Sequence, residues 1–280
     1  MDTHRIGRAV RWAAILAGLA LLAVIALSMT AKPRTDRDWY PYLARESHVS
    51  LTAGSFKVAP VSDWTYDSKQ PLTKDYGAAE YRFADLRNVW FVLEPQPDMT
   101  IAAHTFLLFE FAGDRLLGIT IEARREANEE YSPLLGAFNA YELSYLWATS
   151  RDLLTRRAVM LRHQTFIYPL TVDDETEQQL LRALLERTEK LESQPRFYNT
   201  LFSNCTNELA KATKLKWDAS FIFTGTSAKH LFKMGVIPGK SFAAARVRAD
   251  MTDVVKSLNG TPDNAAFDAA VLAELRKRTG

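Results

Sequence analysis

Cys205 is the only cysteine among the 280 residues of this chain, in the run Ser203-Asn204-Cys205-Thr206-Asn207-Glu208-Leu209. A single cysteine forms no internal disulfide, and a free thiol in an oxidising compartment is open to oxidation. A thiol kept there has chemistry to do, or is buried and inert. The flanking residues favour chemistry. Ser203 and Asn204 suit the N-cap of a helix that Thr206 to Lys214 can continue. Cys205 is then expected in the first helical turn, where unpaired amides and the helix dipole favour the thiolate. Those amides, in the Asn204 to Thr206 region, could also hold an oxyanion, so Asn204 and Thr206 are candidate binding residues.

A thiol nucleophile needs a base, and the five histidines offer one unequally. His4 precedes an apolar N-terminal segment and His48 lies in a polar stretch. His163 and His230 sit beside Arg162 and Lys229, in settings that read as solvated. His104 instead interrupts the apolar run Ile101-Ala102-Ala103-His104-Thr105-Phe106-Leu107-Leu108-Phe109. An imidazole facing a core carries a desolvation cost and needs a partner. A lone core histidine is commonly satisfied by a backbone carbonyl, but beside a unique helix-start cysteine it becomes the expected general base.

The elements that must position these groups suggest a third. Ile101 to Phe111 and Leu116 to Ala123 read as strands joined by the turn Ala112-Gly113-Asp114-Arg115. With Gly113-Asp114 at the tip, opposed residue numbers sum to about 226 to 228, so His104 faces positions 122 to 124. Glu122 there would orient the imidazole and favour its cationic form. Arg124 is a further binding candidate, although Arg124, Arg125 and Glu126 read most simply as the solvated end of a strand. Val89 to Leu93 and Phe166 to Val172 are further strand candidates. Tyr131 to Trp147, Asp174 to Leu191 and Asn264 to Arg278 read as helices, with mixed helix and loop over Asp218 to Val236. Strands in the middle with helices around them predict an α+β fold.

Trp12 to Ala31 is uncharged and rich in Ala, Leu, Ile and Val, about the length that crosses a bilayer core. Arg5, Arg8 and Arg11 precede it, which predicts one N-terminal transmembrane helix with a cytoplasmic N-terminus and an exported domain. A cleaved signal peptide is the rival, with a passable site at Ala26-Leu27-Ser28. The expected organisation is a basic stub and anchor over 1–31, a juxtamembrane linker over 32–45, a catalytic domain over 46–240 and a helical tail over 241–280. The linker spans at most about 50 Å, which keeps the domain near the membrane. The net charge of +2 carries no basic run for nucleic acid. No metal-ligand cluster or glycine-rich phosphate loop is present, so no metal and no cofactor are expected.

His104-Thr105 with Phe109-Glu110-Phe111, Ile121-Glu122-Ala123-Arg124-Arg125-Glu126, Glu130-Tyr131-Ser132, Arg151-Asp152, Phe197-Tyr198-Asn199 and Asn204-Cys205-Thr206 together resemble the Lnb N-terminal periplasmic domain family. The resemblance runs from about Asp38 to Gly239. The histidine strand preceding the cysteine helix is similar to circularly permuted papain-like enzymes, including lecithin:retinol acyltransferase. The resemblance implies a papain-like α+β core and acyl transfer through thioacyl-Cys205. It implies a phospholipid of the bacterial inner membrane as donor and an amine acceptor such as a lipoprotein N-terminus, on the periplasmic side. The alternatives are a periplasmic cell-wall cysteine peptidase or amidase using the same two residues, and a non-catalytic membrane-tethered interaction domain with an inert thiol.

Overall fold

The structure is a computed structural model that describes residues 3–97, 99–213 and 218–279. Met1 and Asp2 of the N-terminal stub, Lys214 of the expected cysteine helix and Gly280 of the tail lie outside them. Helix α1 (Thr3–Thr30) forms where the apolar segment was expected to be helical. The membrane crossing expected of it is corrected: among the described residues, no helix is long and apolar enough to cross a membrane.

The rest is α+β, built on a mixed sheet. Its strands are β1 (His48–Leu51), β2 (Ser55–Tyr66), β3 (Pro71–Arg82), β4 (Leu86–Gln96), β5 (Met99–Phe111), β6 (Arg115–Arg124), β7 (Glu142–Thr149) and β8 (Phe166–Pro169). They lie in the order β1-β2-β7-β6-β5-β4-β8, with β3 also paired to β2. The β2–β7 contact is parallel and the other pairings are antiparallel. The helices that follow α1 are α2 (Pro133–Ala137), α3 (Ser150–Thr155), α4 (Asp174–Ser193), α5 (Cys205–Ala212), α6 (Ser227–Lys233), α7 (Phe242–Ala249), α8 (Thr252–Ser257) and α9 (Asn264–Thr279). A π-helical turn, Arg156–Met160, continues α3.

The β5–β6 hairpin has the expected turn. Gly113 and Asp114 both have positive φ, 82° and 54°, the backbone a tight hairpin needs and one that glycine and aspartate tolerate. The register pairs Phe111 with Arg115 and Phe106 with Thr120. Extended, it sets position 122 opposite 104, but the ladder itself stops at Phe106↔Thr120.

Side-chain alternation along β5 divides the core in two. Leu107, Phe109 and Phe111 join a cluster with Leu180, Leu181, Leu184 and Leu185 of α4 and with Cys205 and Leu209 of α5. Phe106 and Leu108 face the other way, against Leu153 of α3, Val255 of α8 and Phe267, Val271 and Leu272 of α9. The expected helical tail is therefore half of a core.

Two other segments depart from expectation. Tyr131 to Trp147 is one short helix, α2, followed by strand β7. Leu143, Tyr145 and Trp147 of β7 join the first cluster, while on the other face Ala148 joins the second and Leu146 packs with Tyr42, Leu43, Trp64 and Tyr66, so the same apolar run is buried on both faces of a central strand. The segment read as a linker is docked: Trp39, Tyr42 and Leu43 are buried, and Tyr42 donates to Asp152 Oδ1 at 3.2 Å.

Candidate active site

The start of α5 is fixed by side chains that replace missing helical partners. Asn204 is the N-cap, accepting from the Asn207 N–H at 2.8 Å. Its Nδ2 donates to the carbonyls of Thr200 at 2.8 Å and Phe221 at 2.7 Å. Asn207 Nδ2 donates to Leu201 O and Phe221 O, each at 3.1 Å. Cys205 is thus the first residue of a pinned helix, only 4 % exposed. It meets β5 where the β5–β6 ladder has ended. Thr206 Oγ1 lies 3.9 Å from the sulfur and 2.9 Å from Thr105 Oγ1, and the N–H and hydroxyl of Thr105 favour a negative charge on the sulfur.

His104 sits one residue earlier on β5. Its Nε2 is 2.6 Å from Thr120 Oγ1 and 3.2 Å from Glu122 Oε1. The Thr120 hydroxyl donates to Glu122 Oε1 at 2.8 Å. Its one proton is thereby committed, so Nε2 must be the donor to Thr120. That leaves Nδ1 as the ring nitrogen for the thiol.

Glu122 is held in turn by Arg157 Nη2 at 3.2 Å. Arg157 comes from the π-helical turn, lies over the Phe106 ring, and pairs through Nε with Glu94 Oε2 at 3.1 Å. Glu94 accepts from His163 Nδ1 at 2.5 Å. The result is a buried row in which opposite charges alternate through Glu94, Arg157, Glu122 and His104 up to Cys205, with His163 hydrogen-bonded to Glu94 at its far end.

The charges settle the protonation states. Burial works against the His104 cation, but Glu122 and then Cys205 outweigh it and push its pKa up to about 10. Burial likewise works against a Cys205 thiolate. The His104 charge and hydrogen bond, then the hydrogen bonds from Thr105, outweigh it and bring the thiol below its ordinary value. Burial opposes the Glu122 carboxylate too, and His104 followed by Arg157 holds it well below the usual carboxylate range. Both shifts favour the thiolate–imidazolium form of the pair over the neutral one. Burial, and after it the Cys205 charge, keeps Tyr198 protonated well above the ordinary phenol value. Its hydroxyl lies 3.4 Å from that of Tyr131.

The structure therefore brings together Cys205, His104 and Glu122, with Thr206 beside them. Asn204 is present as the cap, but its amide is spent on backbone groups. Arg124 is not brought in. Its guanidinium donates to the carbonyls of Leu43 and Ala44, each at 2.9 Å, pairs with Glu46 at 2.7 Å and covers Trp39. The Arg124 end of β6 is thus buried against the N-terminal segment rather than solvated.

His163, expected to be solvated, is mostly buried against Glu94. His230 is within 3.4 Å of Asp218, and His48, largely exposed, within 3.2 Å of Glu192. Sequence reasoning missed Thr105, Thr120, Arg157, Glu94 and Tyr198. Thr120 had a signal, since it shares a strand face with Glu122 two residues on.

The family model of the Lnb N-terminal periplasmic domain matches residues 72–226, more than half of the chain. The chain belongs to this family. The matched segment contains every member of the charged row and all of α5, and the Lnb-type domain is a periplasmic one. No curated protein and no solved structure matches the chain, so the likeness to papain-like enzymes is not shown.

Proposed function

We propose that this Lnb-type domain is a thiol acyltransferase that uses Cys205 as nucleophile and His104 as its proton partner. The observation that carries the reading is a buried cysteine at a capped helix start beside a histidine whose ring is backed by Thr120, Glu122 and Arg157. The Cys205 thiolate attacks the carbonyl carbon of a phospholipid ester. The C–S bond forms, the C–O bond breaks, and the departing lysophospholipid oxygen takes the proton from His104. An amine, such as a lipoprotein N-terminus, then attacks the thioester. His104 removes its proton, an amide forms and the thiolate leaves. The N–H of Cys205, at the open end of α5, and the protonated Tyr198 hydroxyl are the donors for the oxyanion.

The surface around the thiol supports an acyl-chain substrate over a peptidoglycan stem. Leu134 and Leu135 of α2, Leu201 and Phe202 before α5, Phe223 and Ile101 are all exposed. Hydrogen bonds join the segments that carry them: Thr200 to Pro133 at 2.8 Å, Asn204 to Phe221 at 2.7 Å, and Thr224 to Ala103 at 2.6 Å. Large apolar side chains left exposed on segments tied to one another near the thiol suit contact with apolar matter rather than with water.

Intact mass after incubation with a phospholipid tests the reading. One acyl group should be added to the wild-type chain and none to the Cys205→Ser variant. The adduct should disappear on adding an amine and persist longer in water alone. A reactive thiolate that takes no acyl group from lipid, while the protein cleaves muropeptides, would replace this reading with a cysteine peptidase or amidase.

A further inference from the structure

A second concavity lies away from Cys205, at the outer edge of the sheet. Strand β8 forms one wall, the Ile237-Pro238-Gly239-Lys240 segment and α7 another, and the end of α9 the third, enclosing about 460 Å³. That is within the size range of small-molecule sites. Its floor is apolar: Ile167, Ile237, Ala245, Ala249 and Leu275 are each almost fully buried. The lining residues include three cations, Lys240, Arg248 and Arg278, and no acid.

The cations are not equally engaged. Arg278 is paired with Glu274 at 2.6 Å and donates to Asp250 O at 2.7 Å. Neither Lys240 nor Arg248 has an ion pair among the described residues, and Arg248 makes one long contact, 3.5 Å to Pro238 O. Gly239 has φ +148°, and a Cβ there would stand 2.8 Å from Arg248 Nη2. The missing side chain lets the guanidinium lie across the loop at the mouth of the cleft. Two cations without counter-charges above an apolar floor call for a ligand with the opposite arrangement, an anion on a hydrocarbon body.

We propose that the cleft between β8, α7 and α9 binds an anionic amphiphile, its acidic group on Lys240 and Arg248 and its hydrocarbon part against Ile167 and Leu275. The shared chemistry is a carboxylate or phosphate monoester on a hydrocarbon chain, as found in a free fatty acid or a lysophosphatidic acid. The site is separate from Cys205 and does not depend on the reaction proposed there.

Thermal shift of the full chain, titrated with short probes that partition weakly into detergent, tests this. Hexyl phosphate and hexanoate should each raise the melting temperature saturably, and the tighter of the two identifies the head group. Inorganic phosphate and hexanol should each give at least tenfold weaker apparent affinity. Lys240→Gln/Arg248→Gln should weaken the charged probes at least tenfold and leave hexanol unchanged. Ala244→Phe, which fills the cleft and keeps its cations, should do the same to the alkyl probes. Cys205→Ser should respond like the wild type. No saturable shift with either charged probe, or a shift that survives both the charge and the filling variants, would overturn the proposal. Loss of the response in Cys205→Ser would also overturn it, by moving the binding to the thiol site.

Discussion

The two ends of the β5–β6 hairpin are built from the same two strands and do opposite things. At the turn end the ladder is complete from Phe106↔Thr120 to Phe111↔Arg115, and Leu107, Leu108, Phe109 and Phe111 all go into the cores. At the open end the ladder is given up two residues short of His104. The backbone N–H of Thr105, not paired to β6 in the ladder, favours a negative charge on the Cys205 sulfur instead. Ladder hydrogen bonds add stability but occupy every donor, and a site that must hold a charge needs donors left over. The open end also stands between the two core clusters, with Cys205 packed in one and His104 sharing a strand face with Phe106 of the other. The reactivity proposed for Cys205 draws on groups of both cores meeting where regular pairing stops.

The contrast breaks most sharply at the nucleophile. Cys205→Ser should fold normally and lose at least about a thousandfold in turnover, because a serine hydroxyl is far less ionised than this thiol. Wild-type rates in that variant would remove Cys205 from the chemistry. His104→Ala should come next. Without the imidazolium, burial is offset only by Thr105 and the start of α5, so the thiol pKa should rise. Alkylation of Cys205 followed against pH reads this directly. In the wild type the thiolate–imidazolium pair forms below the ordinary thiol value and is lost as His104 deprotonates at about 10. In the variant the acid limb should move up and the pair's alkaline limb should vanish. An unmoved acid limb would mean that His104 does not act on the sulfur.

Glu122→Gln sharpens the same comparison. Removing the carboxylate takes away the largest influence raising the His104 pKa. The alkaline limb should move to lower pH, with turnover down about a hundredfold. Thr120→Val should do less, about tenfold, since it removes one hydrogen bond while Glu122 remains 3.2 Å from Nε2. If the two substitutions move the pH profile equally, the hydroxyl and not the carboxylate orients the ring.

The two ends were also unequally legible. The turn residues Gly113 and Asp114 fixed the hairpin and its register, and the register alone carried His104 to Glu122. The cap residues around Cys205 fixed the start of α5 in the same local way. What stayed hidden came from far along the chain. Arg157 reaches Glu122 from a π-helical turn whose sequence, Arg156–Met160, carries no mark of a site. Glu94 and His163 are hydrogen-bonded only because β4 and the segment after α3 meet in space. Tyr131 to Trp147 misled because an apolar run buried on both faces has no period to separate strand from helix. Arg124 read as solvated because nothing local announced that Leu43, Ala44 and Glu46 would cover it.

The smallest expected effect belongs to the turn end, and it is the control that gives the comparison meaning. Gly113 has φ 82° and open space around its α-carbon apart from the Arg115 side chain. An alanine there is strained by the backbone and not by a clash, so Gly113→Ala should cost about 1 kcal/mol of stability. Six residue pairs of ladder lie between this turn and the sulfur's contacts, and the fixed register carries no slack along them. Denaturant unfolding should therefore report the loss while the alkylation profile of Cys205 stays where it was. If the profile moves with it, the open end is not independently held by the α5 cap and the Arg157 row. The thiolate would then depend on the hairpin as a whole, and the division between a structural end and a reactive end would have to be abandoned.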